Sequence, residues 1–157
     1  AELRILSRSL YPHLDRFVRL PARHQTLSAS DFGFHNAIRE PDNSLKWIDF
    51  EYFGWDDPVK LMADFVWHPG FELSESQILQ WKNGCMTIFS KDSDLPGRFQ
   101  QHFPLYGMRW CLILLNTFLQ SEIKQRSMGQ ARLEKAGSYL SAVKEIFSAA
   151  NGSAQEQ

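Results

Sequence analysis

With 157 residues, 43% apolar and 22% charged, the chain has the length and composition of one globular domain, or of one lobe of a larger one. It is neither disordered nor collagenous nor built on disulfides. Its 17 basic and 18 acidic residues give a formal net charge of -1, so no strong positive field draws it to nucleic acid or to an anionic membrane.

Aromatic content is the one skewed figure: 12 Phe, 5 Trp and 4 Tyr make 13%, which signals dense packing. Cys85 and Cys111 sit among apolar neighbours and form no C-x-x-C pair, so both are expected as reduced core thiols. Near the N-terminus Glu2, Arg4, Arg8, Asp15 and Arg16 interrupt the apolar residues and leave no signal-peptide core. The longest apolar run, Trp110 to Leu115, falls far short of the ~20 residues a membrane span needs. A cytoplasmic location is the default expectation, with neither membrane nor nucleic acid as partner.

In chain order, Glu2 to Leu20 is expected to be helical with an interruption at Tyr11-Pro12. Asn36 to Arg39 and Leu45 to Phe50 flank the turn Pro41-Asp42-Asn43-Ser44, so two short strands in a hairpin are expected. Asp57 as N-cap and Pro58 at the first helical position open a helix carrying Leu61, Met62, Phe65 and Val66, which stops before Pro69-Gly70. Ser74 and Gln77 form a capping box ahead of Ile78, Trp81, Cys85 and Ile88 on one face. The strongest helix carries the stripe Leu105, Met108, Leu112, Leu115 and Leu119, widened by Trp110, Cys111, Leu114 and Phe118, and is expected at the centre of the core. A last helix, about Gln130 to Ala149, turns Leu133, Ala136, Leu140, Val143 and Phe147 inward. The fold class expected is mainly α with a small β-hairpin, residues 1–150 forming one lobe and 151–157 a flexible polar tail.

The polar residues that stand out cluster on the hairpin and its flanks. Asp31 is followed five positions later by Asn36, and Asp49 ends the second strand with Glu51 just beyond. Transfer of a phosphoryl group from a magnesium nucleotide needs such a set: a carboxylate to orient and deprotonate the attacking hydroxyl, and hard oxygen ligands for the metal. The turn at 41–44 lets Asn36 and Asp49 meet although 13 positions separate them.

SDFGFHN (Ser30 to Asn36) and IDFE (Ile48 to Glu51) resemble the catalytic loop and metal-binding segment of the aminoglycoside phosphotransferase and choline kinase-like family, small-molecule relatives of the protein kinases. In that family the loop reads H-x-D-x-x-x-x-N, and a hairpin leads to an Asp between apolar residues. GWDDPVKLMADF (Gly54 to Phe65) is similar to the stretch that follows, where a turn opens a helix. The resemblance is dense over Leu27 to Trp67. It implies a kinase-like C-terminal lobe (α+β) with Asp31 as catalytic base, Asn36 and Asp49 as Mg2+ ligands, ATP as phosphoryl donor and a small-molecule hydroxyl as acceptor. Glu51 is a further candidate for the metal or substrate, and His35 for phosphate or substrate, beside a loop-packing role for His35.

The D-F-G of Asp31-Phe32-Gly33 also spells the metal-binding triplet of protein kinases. That would require an upstream D-x-x-x-x-N, but Leu20 stands five positions after Asp15. Two departures from the family remain. Its His two positions before the base is Ala29 here, which removes a brace from the loop. Nothing reads G-x-G-x-x-G, and the 30 residues before Asp31 are too few for a nucleotide-binding lobe, so the chain is expected to be the C-terminal lobe alone, inactive in isolation, with some rings left at an exposed face. A non-catalytic binding module derived from that lobe is the alternative. His13, His24, His68 and His102 show no metal-ligand spacing and are expected at solvent or caps, Lys46 and Lys60 as surface charge, and Asp64 as a loop brace or solvated residue. The family's acceptors include aminoglycosides, choline and sugar alcohols. The scarcity of acids beyond the catalytic set favours a hydroxylated metabolite over a polycation.

Overall fold

The computed structural model describes residues 20–120 and 126–152. The expected leading helix up to Arg19 and residues 153–157 of the expected tail lie outside the described residues.

A 3-10 turn at Ala22–His24 precedes β1 (Thr26–Ser28), and a second, Phe34–Asn36, runs straight into β2 (Ala37–Arg39). β2 pairs antiparallel with β3 (Leu45–Trp47) in the register Ala37 to Trp47 and Arg39 to Leu45. The turn between them works as its residues suggest. Asp42 Oδ1 accepts from Ser44 N at 2.9 Å, and Asn43 takes a left-handed φ of 68°, which Asn tolerates better than most residues. β4 (Gly54–Asp56) then returns to pair antiparallel with β1, Thr26 opposite Asp56 and Ser28 opposite Gly54. This second sheet has no signal in the sequence, because three-residue strands are too short for alternation to register.

Four helices follow: α1 (Pro58–Trp67), α2 (Glu75–Ile88), α3 (Leu95–Gln120) and α4 (Arg126–Gly152). The described residues are thus mainly helical with two small antiparallel sheets, and no helix among them is long and apolar enough to cross a membrane. Asp57 caps α1 by accepting from Val59 N at 2.9 Å, and Ser74 and Gln77 cap α2 reciprocally. α3 starts ten residues before the expected stripe and runs through Pro104, which is fully buried, so packing overrides the missing N–H. α4 continues through Asn151 and Gly152, two residues into the expected tail.

The core joins Ala63 and Trp67 of α1, Met108 and Trp110 of α3, and Val143 of α4. On α3 the buried line is Pro104, Gly107, Met108, Cys111 and Leu114, whereas Leu112, Ile113 and Phe118 are exposed. Leu133 and Ile88, expected inward, are exposed as well. The helical period is right and its phase is off, because small residues that hydrophobicity underweights lie on the seam. Gly107 is the clearest: a Cβ there would lie 2.7 Å from Val143 Cγ2 and 2.8 Å from the Trp67 ring. Both cysteines are free and buried; burial pushes the Cys85 and Cys111 thiols up to about 11, and Cys111 Sγ donates to Ala136 O.

The start of α3 is fastened to α1 by Arg98, whose guanidinium reaches Asp57 Oδ2 at 3.1 Å and Asp92 Oδ2 at 2.7 Å, with His24 Nδ1 3.4 Å from Asp92.

Two outcomes are expected. Gly107→Ala should lower stability in urea unfolding by about 1–3 kcal/mol of overpacking, outweighing the ~1 kcal/mol that Ala gains in helix propensity. Arg98 hydrogen bonds hold the Asp92 carboxyl below the usual carboxylate range, so its contribution to stability is in place above the unfolded-state pKa of about 3.9 and is lost as pH falls through the lower folded-state value. Arg98→Ala should therefore flatten the acid limb of the stability profile relative to the wild-type chain.

Candidate active site

The loop between β1 and β2 alternates its side chains. Phe32 packs on Trp47 with ring centroids 4.3 Å apart and on Phe65 at 5.6 Å, and Phe34 packs on Phe65 at 5.4 Å and Phe71 at 5.3 Å. These anchors leave Asp31, between the loop and the second turn, with a side chain 45% exposed. The apparent D-F-G phenylalanine thus serves as a packing anchor. Ser30 takes a φ of 60°, a strained value for a residue with a Cβ, and Lys60 of α1 holds its hydroxyl at 3.2 Å. Gly33 has no room for a Cβ, which would meet Phe71 Cε1 at 2.7 Å and His35 Nδ1 at 2.8 Å.

Asn36 donates its Nδ2 to Asp31 O at 3.0 Å, which orients the amide and leaves Oδ1 as its open acceptor. Ile48 N donates to Asn36 O at 2.9 Å, so the chain leaving β3 closes on the second turn and Asp49 follows directly. Asp49 has a φ of 62°. The phenol of Tyr52 is pushed up by a hydrogen bond with Glu51 and by the negative charges of Glu51, Asp49 and Asp31. Four of the five sequence-derived candidates, Asp31, Asn36, Asp49 and Glu51, therefore belong to one solvent-facing acidic neighbourhood. The fifth, His35, contacts the Asp31 carboxylate itself, Nε2 to Oδ2 at 3.3 Å.

The residue that sequence reasoning misplaced is His68. It is the C-cap of α1, as a cap role anticipates, but its side chain is only 12% exposed and its Nε2 lies 3.4 Å from Asp31 Oδ1. Its ring stacks on His35 with centroids 4.2 Å apart and planes 8° from parallel. Among the described residues, Asp31, His35 and His68 form the one group of three titratable side chains whose ligand atoms lie within 4.8 Å of one another. Pro69 forces the residue before it out of the helix, which swings His68 away from the axis; with Asp31 37 positions upstream, no spacing rule links the two.

Lys60 and Asp64, four residues apart, share a face of α1. Lys60 is not ordinary surface charge: its ammonium, 13% exposed, lies 2.9 Å from Asp64 and 3.5 Å from Asp56. Of the two roles expected for Asp64, the loop brace is the one the contacts fit, through Lys60 to Ser30. Asp64 is 2% exposed and accepts from Trp110 Nε1 at 3.1 Å and Arg109 Nη1 at 3.2 Å. Of the other expectations, Lys46 is a surface charge paired with Glu40, whereas His102 is half-buried, and burial lowers its pKa. Beyond His68, a cavity of about 500 Å³ opens between α3 and α4, lined by Ile113, Leu114, Arg132 and Lys135.

The chain matches no protein-family model, no curated protein and no solved structure.

Replacing Asp64 by Ala strands Lys60 and the Trp110 N–H in the interior, and should cost about 3–5 kcal/mol in denaturant unfolding. Asp64→Asn, which keeps an acceptor for the indole, should cost less.

Proposed function

We propose that this chain is the catalytic and substrate-binding lobe, kinase-like in fold, of an ATP- and magnesium-dependent phosphotransferase acting on a hydroxyl of a small molecule. What supports the proposal is the pair of hydrogen bonds that link Asn36 to Asp31 and to the residue before Asp49. One backbone bond, Ile48 N to Asn36 O, and one side-chain bond, Asn36 Nδ2 to Asp31 O, tie the loop to the end of the hairpin. The donor set, a carboxylate and an amide oxygen, is the hard-oxygen chemistry that suits Mg2+.

In this scheme Asp31 orients the acceptor hydroxyl and takes its proton as the oxygen attacks the terminal phosphoryl group. Each of its oxygens has one imidazole beside it, and the side chain is 45% exposed. Asn36 Oδ1 and the Asp49 carboxylate would hold the magnesium ion, which neutralises charge on the nucleotide phosphates. Glu51, bonded to Tyr52, borders the same space. The acceptor would use the cavity beyond His68, whose Arg132 and Lys135 disfavour a polycationic aminoglycoside and suit a neutral or anionic hydroxylated metabolite.

A nucleotide-binding lobe outside these 157 residues would cover apolar side chains exposed on the strands and the segment after the hairpin, among them Leu27, Trp55, Ile48, Phe50 and Phe53. The non-catalytic alternative rests on Ala29, and the retained base and donor set weigh against it.

In the intact protein, Asp31→Asn should lower phosphoryl transfer by at least the ~10²–10⁴-fold typical of a lost general base while sparing magnesium-nucleotide affinity. Asp49→Asn, whose side chain tolerates the left-handed backbone, should instead weaken magnesium-nucleotide binding in a titration. Wild-type turnover by Asp31→Asn would remove the basis for the proposed reaction.

A further inference from the structure

His68 touches a different neighbour on every side. His35 covers one part of its ring at 4.2 Å between centroids, Phe71 lies 5.3 Å away and nearly parallel, and Trp110 meets it edge-on at 5.1 Å. Gly70 N donates to Nδ1 at 3.0 Å, and Nε2 lies 3.4 Å from Asp31 Oδ1. Gly70 is itself shaped to this contact, since a Cβ there would lie 2.8 Å from His68 Cε1 and 3.0 Å from Nδ1.

The Gly70 bond decides the chemistry of the cluster. A nitrogen that accepts from a backbone N–H carries no proton, so a neutral His68 must hold its single proton on Nε2, the atom aimed at Asp31. Burial and the neighbouring His35 lower the pKa of His68, which favours that neutral form. An imidazole with its proton on Nε2 donates there and cannot also ligate a metal through it. The clustering of Asp31, His35 and His68 is therefore a donor arrangement around a carboxylate and not a cation site.

We propose that His68 is a positioning residue that donates Nε2–H to Asp31 Oδ1 and fixes the orientation of the base, supplying from the end of α1 the brace that Ala29 does not supply within the loop. The 3.4 Å separation is at the long end for such a bond, as is common before substrate binds. His35 takes the other oxygen from within the loop, but only His68 has its tautomer set by a backbone donor. The kinetic consequence rests on the phosphotransferase function proposed above; the tautomer does not.

Two measurements separate these. Long-range proton–nitrogen correlation spectra of the wild-type protein at neutral pH should show His68 protonated on Nε2 with a non-protonated Nδ1, and unchanged by added Zn2+. An Nδ1–H tautomer, or Zn2+ binding that shifts His68 Nε2, would overturn the proposal whatever the protein catalyses. In the intact enzyme His68→Ala should lower kcat by about 100-fold, the scale of a misplaced reacting group, with the KM for magnesium nucleotide within twofold. His68→Gln, which restores an N–H donor, should recover part of that loss. Undiminished kcat in His68→Ala alongside an inactive Asp31→Asn rejects the brace and leaves the phosphotransferase function standing, whereas an active Asp31→Asn rejects that function itself.

Discussion

The carboxylate of Asp64 is where the helical body and the polar loop are joined. It lies in the interior, and a charge taken out of water is tolerable only when opposite charge and hydrogen-bond donors surround it. Trp110 and Arg109 bring those donors from α3, and Lys60 brings its ammonium from the preceding turn of the same helix. Lys60 then reaches Ser30, the strained residue immediately before Asp31. A chain of charge-assisted contacts thus runs from the core to the backbone that carries Asp31. Just past the end of α1, His68 Nε2 lies 3.4 Å from the Asp31 carboxylate. The loop has little core of its own, so its geometry is borrowed from a helix that is itself pinned at both ends, by Asp57 with Arg98 and by Trp67 with Phe103 O.

Much of this was legible in the sequence wherever the signal was local. The N-cap and proline of α1, the capping box of α2 and the turn of the β2–β3 hairpin each depend on residues within a few positions, and each is present in the structure as read. The closure of the hairpin, which sets Asn36 O against Ile48 N, was legible for the same reason, since one tight turn produces it. The β1–β4 pairing and the approach of His68 to Asp31 were not, because both close over long stretches of chain and leave no periodicity. The phase of α3 was misread for another reason. Its seam is built on Pro104 and Gly107, whose value lies in how closely neighbours can approach, and hydrophobic patterning assigns that no weight. Lys60 and Asp64 look like surface residues by type; only their four-residue spacing on one helical face pairs them.

The aromatic excess is divided between two uses. Phe32, Phe65, Trp81, Trp47 and Phe71 form a contiguous packed group under the loop, while Phe50, Tyr52, Phe53 and Trp55 stand in solvent around the hairpin. The first group holds the loop by packing Phe32 on rings of α1 and α2. The second gives the acidic neighbourhood an apolar rim, so a partner that buried the rim would also dry the space around Asp31 and Asp49, and charge interactions strengthen where water is excluded.

The two cysteines occupy separate joints of this structure. Cys85 lies on α2, which is held to α1 by the Trp81 indole bonded to Met62 O, and Cys111 lies in the seam between α3 and α4. With both thiols buried and their ionisation pushed up to about 11, almost no thiolate exists at neutral pH in the closed state. Alkylation can then proceed only through opening, and the two sites report different events: release of α2 from α1, and separation of the long helices. The chain carries, in effect, two built-in chemical clocks, one for each of its mechanical joints.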